Sequence, residues 1–164
     1  MDNLGLFLLV GAGLFLLKPK ISAEGIEKIK VYEEFKDKPY LDEAGILTIG
    51  YGHRIKDGEY FSIITEQEGT ALLAKDLKIA RDAVNRYAKV SLTPNQFDAL
   101  ASLVYNIGVN AFVSSKLLKL LNSGDYLKAA EAFKDWNKIT LNSEKIVSLG
   151  LTKRRAKEYK LFLS

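Results

Sequence analysis

Cysteine is absent from this chain of 164 residues, and histidine occurs once, at position 53. Without thiolates and with a single imidazole, neither a disulfide framework nor a zinc site of Cys and His ligands can be assembled. No internal repeat, low-complexity tract or nucleic-acid-binding motif is present. The uncharged run Leu4 to Leu17 stops at fourteen residues, short of the roughly 20 apolar residues of a full membrane span.

What remains is a chain with 48% hydrophobic residues, long enough for one domain with an ordinary core. Its net charge of +4 is spread as lysines along several segments. Such a charge favours anionic partners such as bacterial wall or membrane surfaces, and the spread of the lysines without a nucleic-acid motif makes nucleic acid the weaker reading.

The most informative stretch contains Glu33-Glu34-Phe35, Pro39-Tyr40-Leu41-Asp42 and Thr48-Ile49-Gly50-Tyr51-Gly52-His53. Ser22 is a suitable N-cap for a helix over 23–33, with Ile26, Ile29, Lys30 and Glu33 on one face. Glu33 then falls in the last turn, where unpaired carbonyls and partial burial both disfavour a further negative charge. A carboxyl that stays protonated can donate a proton to a leaving glycosidic oxygen. Tyr40 to Asp42 reads as a strand entering the turn Asp42-Glu43-Ala44-Gly45, and Ile46 to Ile49 as its return. Asp42 and Thr48 lie near opposite ends of that turn, placed to share one water molecule. An inverting glycosidase needs its carboxyl groups about 6.5–9.5 Å apart, a span that a helix-end acid facing a hairpin carboxylate can provide.

These motifs resemble the phage-type lysozymes and endolysins of glycoside hydrolase family 24. The likeness continues through Leu92-Thr93-Pro94-Asn95-Gln96-Phe97 and Tyr105-Asn106-Ile107-Gly108 to Gly150-Leu151-Thr152-Lys153-Arg154-Arg155, covering about residues 22 to 164. It implies an α+β, mainly helical fold in two lobes: a small β-hairpin lobe over 22–64, a linking helix over 65–88 and a helical lobe over 89–164. It also implies a muramidase that cuts the β-1,4 bond between N-acetylmuramic acid and N-acetylglucosamine in bacterial peptidoglycan, without metal or organic cofactor. Glu33 would be the acid, and Asp42 with Thr48 would hold and activate water in a single displacement. His53 would pair with Asp76 on the linking helix as structural support, a direct part in the chemistry being the alternative. Tyr105 and Asn106 match positions that line the cleft, although Tyr105 could equally pack. Ser115 matches a substrate-facing position or is a helix cap. Arg155 would approach Glu33 and favour its ionised form. Where the family often has glycine after its acid, this chain has Glu34, which is expected to face solvent.

Elsewhere, capping boxes at Thr65 to Glu68 and Thr93 to Gln96 start two helices, the second with Pro94 at its first position. Further helices are expected over 115–121 and 125–136, with Phe133 and Trp136 as core aromatics, and a loop over 137–148. Residues 1–21 read as a glycine-containing, anchor-like segment resembling a signal-anchor, which would place the protein in the host periplasm or at its inner membrane. Because the flanking lysines sit on the side that positive-inside logic keeps cytoplasmic, an anchor in a phage particle's own membrane or into a virion protein is the alternative, and the run's length and uniform apolarity also suit a buried core helix. Two other functions compete: a non-catalytic structural or wall-binding virion protein on the same fold, and a lytic transglycosylase that leaves anhydro ends.

Overall fold

The computed structural model describes residues 18–42, 45–141 and 143–164. The apolar run 4–17 and the centre of the Asp42 to Gly45 turn lie outside the described residues.

Helix α1 (Ala23–Glu33) starts where the sequence places it, the Ser22 hydroxyl accepting the Gly25 N–H at 2.9 Å. The same serine donates its backbone N–H to Asp98 at 2.9 Å and its hydroxyl to the other oxygen of that carboxylate. Asp98 belongs to α3 (Pro94–Ile107), so α1 is pinned to the helical core from its first residue. Gly25 permits this approach, since a Cβ there would stand 2.6 Å from the Asp98 carboxyl carbon.

The helix ends abruptly at Glu34, whose φ of 52° lies in a region that L side chains rarely adopt. Its carboxylate is exposed, as expected, and its backbone explains why glycine suits the position after the acid. Glu34→Gly should therefore stabilise the fold by roughly 1 kcal/mol, relief of strain exceeding the added unfolded-state entropy. A urea midpoint that fails to rise would show that the turn carries no strain.

The chain then forms a three-stranded antiparallel sheet of β1 (Lys36–Leu41), β2 (Leu47–Gly50) and β3 (His53–Arg54), in that spatial order. Thr48 stands directly opposite Tyr40 on one side and Arg54 on the other. β1 is an edge strand with an irregularity between Lys36 and Tyr40, a position that tolerates Pro39. The third strand goes beyond the expected hairpin.

Helix α2 (Glu66–Tyr87) opens with the expected capping box at Thr65 and Glu68. Gly69 in its first turns lets the sheet close on it, because a Cβ there would meet the Phe35 ring at 2.6 Å. Leu73 and Leu77 continue this contact with Ile29 and Tyr51 as a small core. Farther along the same helix, Ala80, Ala83 and Val84 enter a second, larger core. That core is built around Phe97, Leu100, Leu103 and Val104 of α3, with Phe133 and Phe162 packed at 5.6 Å between ring centres. One helix thus joins a sheet lobe to a helical lobe, the α+β, mainly helical arrangement expected.

The remaining elements are α4 (Val109–Ser114), α5 (Lys116–Asn122), α6 (Tyr126–Glu131), a 3-10 turn (Ala132–Trp136), β4 (Lys138–Leu141), β5 (Glu144–Val147) and α7 (Leu149–Leu163). Two differ from expectation. The stretch read as a loop over 137–148 is an antiparallel hairpin, with Ile139 opposite Ile146. Its strands are almost wholly exposed, so they lack the alternation of buried and solvent-facing residues that marks a strand in sequence. The helix expected over 125–136 narrows to 3-10 geometry at Ala132. Among the described residues no helix is long and apolar enough to cross a membrane.

Candidate active site

Between the sheet and α3 lies an open cleft of about 430 Å³. Glu33, Asp42, Thr48, Asp76, Tyr105 and Asn106 all line it, so most of the candidates named from sequence converge on one space.

Glu33, the last residue of α1, is half-buried, and its two oxygens have different surroundings. Oε1 accepts a 2.6 Å hydrogen bond from Arg154 Nη1. Oε2 points toward Gly52, where a Cβ would stand only 3.3 Å away. Gly52, with φ of 84°, leaves that oxygen open to the cleft.

The cation against the acid is therefore Arg154, which corrects the expectation that Arg155 would make this contact. Successive residues on an α-helix are turned by about 100°, so only one of two adjacent arginines can face α1. Arg155 points the other way into the helical lobe, donating to Asn106 Oδ1 at 3.1 Å and pairing with Glu158 at 2.9 Å. Glu158 lies between the two guanidiniums, 1% exposed, and also accepts from Arg154 Nε at 3.1 Å and Ser102 Oγ at 2.6 Å. Burial disfavours the Arg154 charge, but Glu33 and Glu158 more than offset this and raise its pKa. Burial outweighs Glu158 at Arg155 and brings it down to about 10, still charged at neutral pH.

Across the cleft, Asp42 sits at the end of β1. It is fixed over the turn by its carboxylate, which accepts from Ile46 N at 2.8 Å, and by a backbone bond from its N–H to Ile46 O at 2.9 Å. Thr48 is buried, with its hydroxyl donating to Ile46 O at 2.9 Å. Hydrogen-bonded turn and strand thus hold both groups on the sheet side while α1 carries Glu33 opposite.

Tyr105 packs and also lines the cleft. Its hydroxyl donates to Tyr51 O at 2.6 Å, and burial, then the charges of Glu33 and Asp76, raise its pKa and keep it protonated. Tyr40 is shifted the same way by burial, with Glu33 and then Asp42 adding to it. Asn106 is exposed at the cleft and held by Arg155. Ser115 does not face the cleft: it is 4% exposed and caps α5, accepting the Leu118 N–H at 3.0 Å. The first peptide groups of a helix need such an acceptor, and this hydroxyl supplies it.

His53 is 1% exposed, with Nδ1 2.6 Å from Asp76 Oδ2 and Nε2 3.0 Å from Glu59 Oε2. The pairing with Asp76 was expected, whereas Glu59 was not named from the sequence. A loop carboxylate six residues beyond the imidazole has no periodic signal. The Lys56 N–H, then His53, hold Glu59 down at about 2. The imidazole therefore lies between two carboxylates, one at each ring nitrogen. The arrangement ties β3 to α2 and stands behind the cleft wall. Among the described residues no group of three or more His, Cys, Asp or Glu side chains is placed to hold a metal ion.

Comparison with known proteins bears on the family and the fold. A family model described as phage lysozyme matches residues 30–158. The endolysin of Acyrthosiphon pisum secondary endosymbiont phage 1 is 42% identical over 146 residues, 88% of this chain and 98% of that protein. Some relatives are longer, and the chain spans 54% of the endolysin of Bacillus phage B103 at 41% identity. A SAR-endolysin of Escherichia phage Mu is 45% identical over 98 residues, 60% of this chain and 57% of that one. Among solved structures, an endolysin from Escherichia coli O157:H7 phage FAHEc1 superposes with a TM-score of 0.84 at 38% identity, covering 92% of this chain and 97% of the other. With the cleft, its flanking lobes and a family match over most of its length, this chain belongs to the phage lysozyme family.

Proposed function

We propose that this peptidoglycan-degrading lysozyme cuts the β-1,4 bond between N-acetylmuramic acid and N-acetylglucosamine with Glu33 as general acid and Asp42 with Thr48 as the pair that holds and activates water. Glu33 gives its proton to the departing O4 of N-acetylglucosamine while water attacks C1 of the muramoyl unit from the opposite face. Asp42 takes the proton that this water loses. The observation that supports these roles best is the asymmetry of Glu33: one oxygen is fixed by Arg154, and the other is open to the cleft that Asp42 and Thr48 also line. A wall-binding protein without activity would need neither the open oxygen nor the carboxylate opposite it.

Single displacement predicts the inverted, α-configured reducing end as the first product. Proton NMR of the earliest muropeptides released from purified peptidoglycan reads this directly. An initial β-anomer would refute the inverting assignment, and 1,6-anhydromuramoyl ends would identify a transglycosylase instead.

The apolar run 4–17 is read as a signal-anchor that delivers the enzyme to the inner membrane and periplasm. This rests on its glycine-interrupted composition and the likeness to a SAR-endolysin. Attachment to a virion protein through the same run is the alternative. Fractionation of cells expressing the full chain and a chain lacking residues 1–17 distinguishes them: recovery of both in the soluble fraction would remove the anchor.

A further inference from the structure

Across the three strands, Tyr40, Thr48 and Arg54 form one row, each directly opposite the next. Directly opposed residues in antiparallel strands project their side chains from the same face, with Cα atoms about 4.5–5.5 Å apart. All three line the cleft. The pairing continues past β3, with Ile55 N–H donating to Leu47 O at 2.9 Å, and Lys56 also reaches the cleft lining. Arg54 and Lys56 are exposed, and among the described residues neither side chain has an ion-pair or hydrogen-bond partner. Arg154, by contrast, is fully engaged by Glu33 and Glu158. Glu33 and Asp76, which share the cleft with these cations, pair instead with Arg154 and His53.

A glycan of N-acetylated sugars offers these cations hydrogen-bond acceptors but no countercharge, since its hydroxyl and amide groups are neutral. The negative charge of peptidoglycan is carried on the O3 substituent of the muramoyl unit, as stem-peptide carboxylates or as a free lactyl carboxylate where the peptide has been removed. The sugar whose C1 meets the water is that muramoyl unit, and Arg54 is the strand neighbour of Thr48. We infer that Arg54, supported by Lys56, forms a subsite for the carboxylate carried on O3 of the muramoyl residue under attack. This rests on the assignment of Asp42 and Thr48 to the water. A planar guanidinium matches a carboxylate through two parallel hydrogen bonds, so Arg54 provides orientation and Lys56 adds charge.

The test compares three forms of one purified peptidoglycan: intact, stripped of stem peptides by an amidase, and amidated on its carboxylates with a carbodiimide. Wild type should show kcat/KM five- to tenfold higher on intact than on amidated glycan, and raised salt should shrink the difference. In Arg54→Ala/Lys56→Ala the ratio should fall toward one, and Arg54→Lys should restore part of it. Preference for intact over stripped glycan identifies the stem carboxylates as the ligand. Preference for stripped over intact glycan identifies the free lactyl carboxylate, and equal preference for both over the amidated form shows that the subsite takes either carboxylate. A ratio identical in wild type and the double variant overturns the subsite and leaves the lysozyme assignment standing. Failure of wild type to release reducing ends from all three glycans would instead overturn that assignment.

Discussion

Glu33→Gln is expected to lower kcat on peptidoglycan by about 10²–10⁴-fold while the protein stays folded. Glutamine retains the oxygen that accepts from Arg154 Nη1 and has nearly the same shape, so α1 and its contacts persist. What is lost is an acidic proton at the atom facing Gly52, where the leaving oxygen must be protonated. Reducing-end release and mass spectrometry of muropeptides measure the loss, with near-ultraviolet circular dichroism as the control for folding. Activity within tenfold of wild type would remove Glu33 from the role of acid.

The largest stability effect is expected from Glu158→Leu. Arg155 and Glu158 are each 1% exposed and Arg154 is 7% exposed, so the two guanidiniums depend on Glu158 and Glu33 for charge balance. Removing the inner carboxylate leaves two buried cations facing one half-buried anion and strips Ser102 Oγ of its acceptor. Breaking a buried pair from one side costs about 3–5 kcal/mol, much of it the penalty of the unpaired charge. Chemical denaturation would read this as a lowered midpoint, and a loss below about 1 kcal/mol would mean that water or neighbouring dipoles already balance the arginines. The aromatic face of Tyr32, 4.9 Å from the Arg154 guanidinium, gives only minor compensation.

Features decided by neighbouring residues were legible in the sequence. Ser22, Thr65 and Thr93 cap the helices they were expected to cap, and Pro94 opens α3, because each signal acts within one helical turn. The cleft candidates were legible through a motif whose spacing keeps a helix end, a turn and a strand in fixed order. Features set by the phase or packing of distant elements were not. The choice between Arg154 and Arg155 depends on how α7 is rotated against α1, and Glu59 meets His53 only after its loop has folded back. Ser115 shows the limit from the other side: the same hydroxyl suited a cap or a sugar contact, and burial decided for the cap.

Because Asp98 ties the start of α1 to α3, Glu33 is anchored through its helix to the helical lobe although it precedes the sheet in the chain, while Ile29 of the same helix packs with Tyr51 in the small core. Asp42 and Thr48 stand on the strands, and only Glu34 and Phe35 connect the two along the backbone before β1 begins. The reaction thus depends on an alignment that no residue sets alone. A bend in α2 that opens the jaws would switch off cleavage with both carboxylates chemically intact, and a tether across the cleft mouth would hold the tool shut on its glycan.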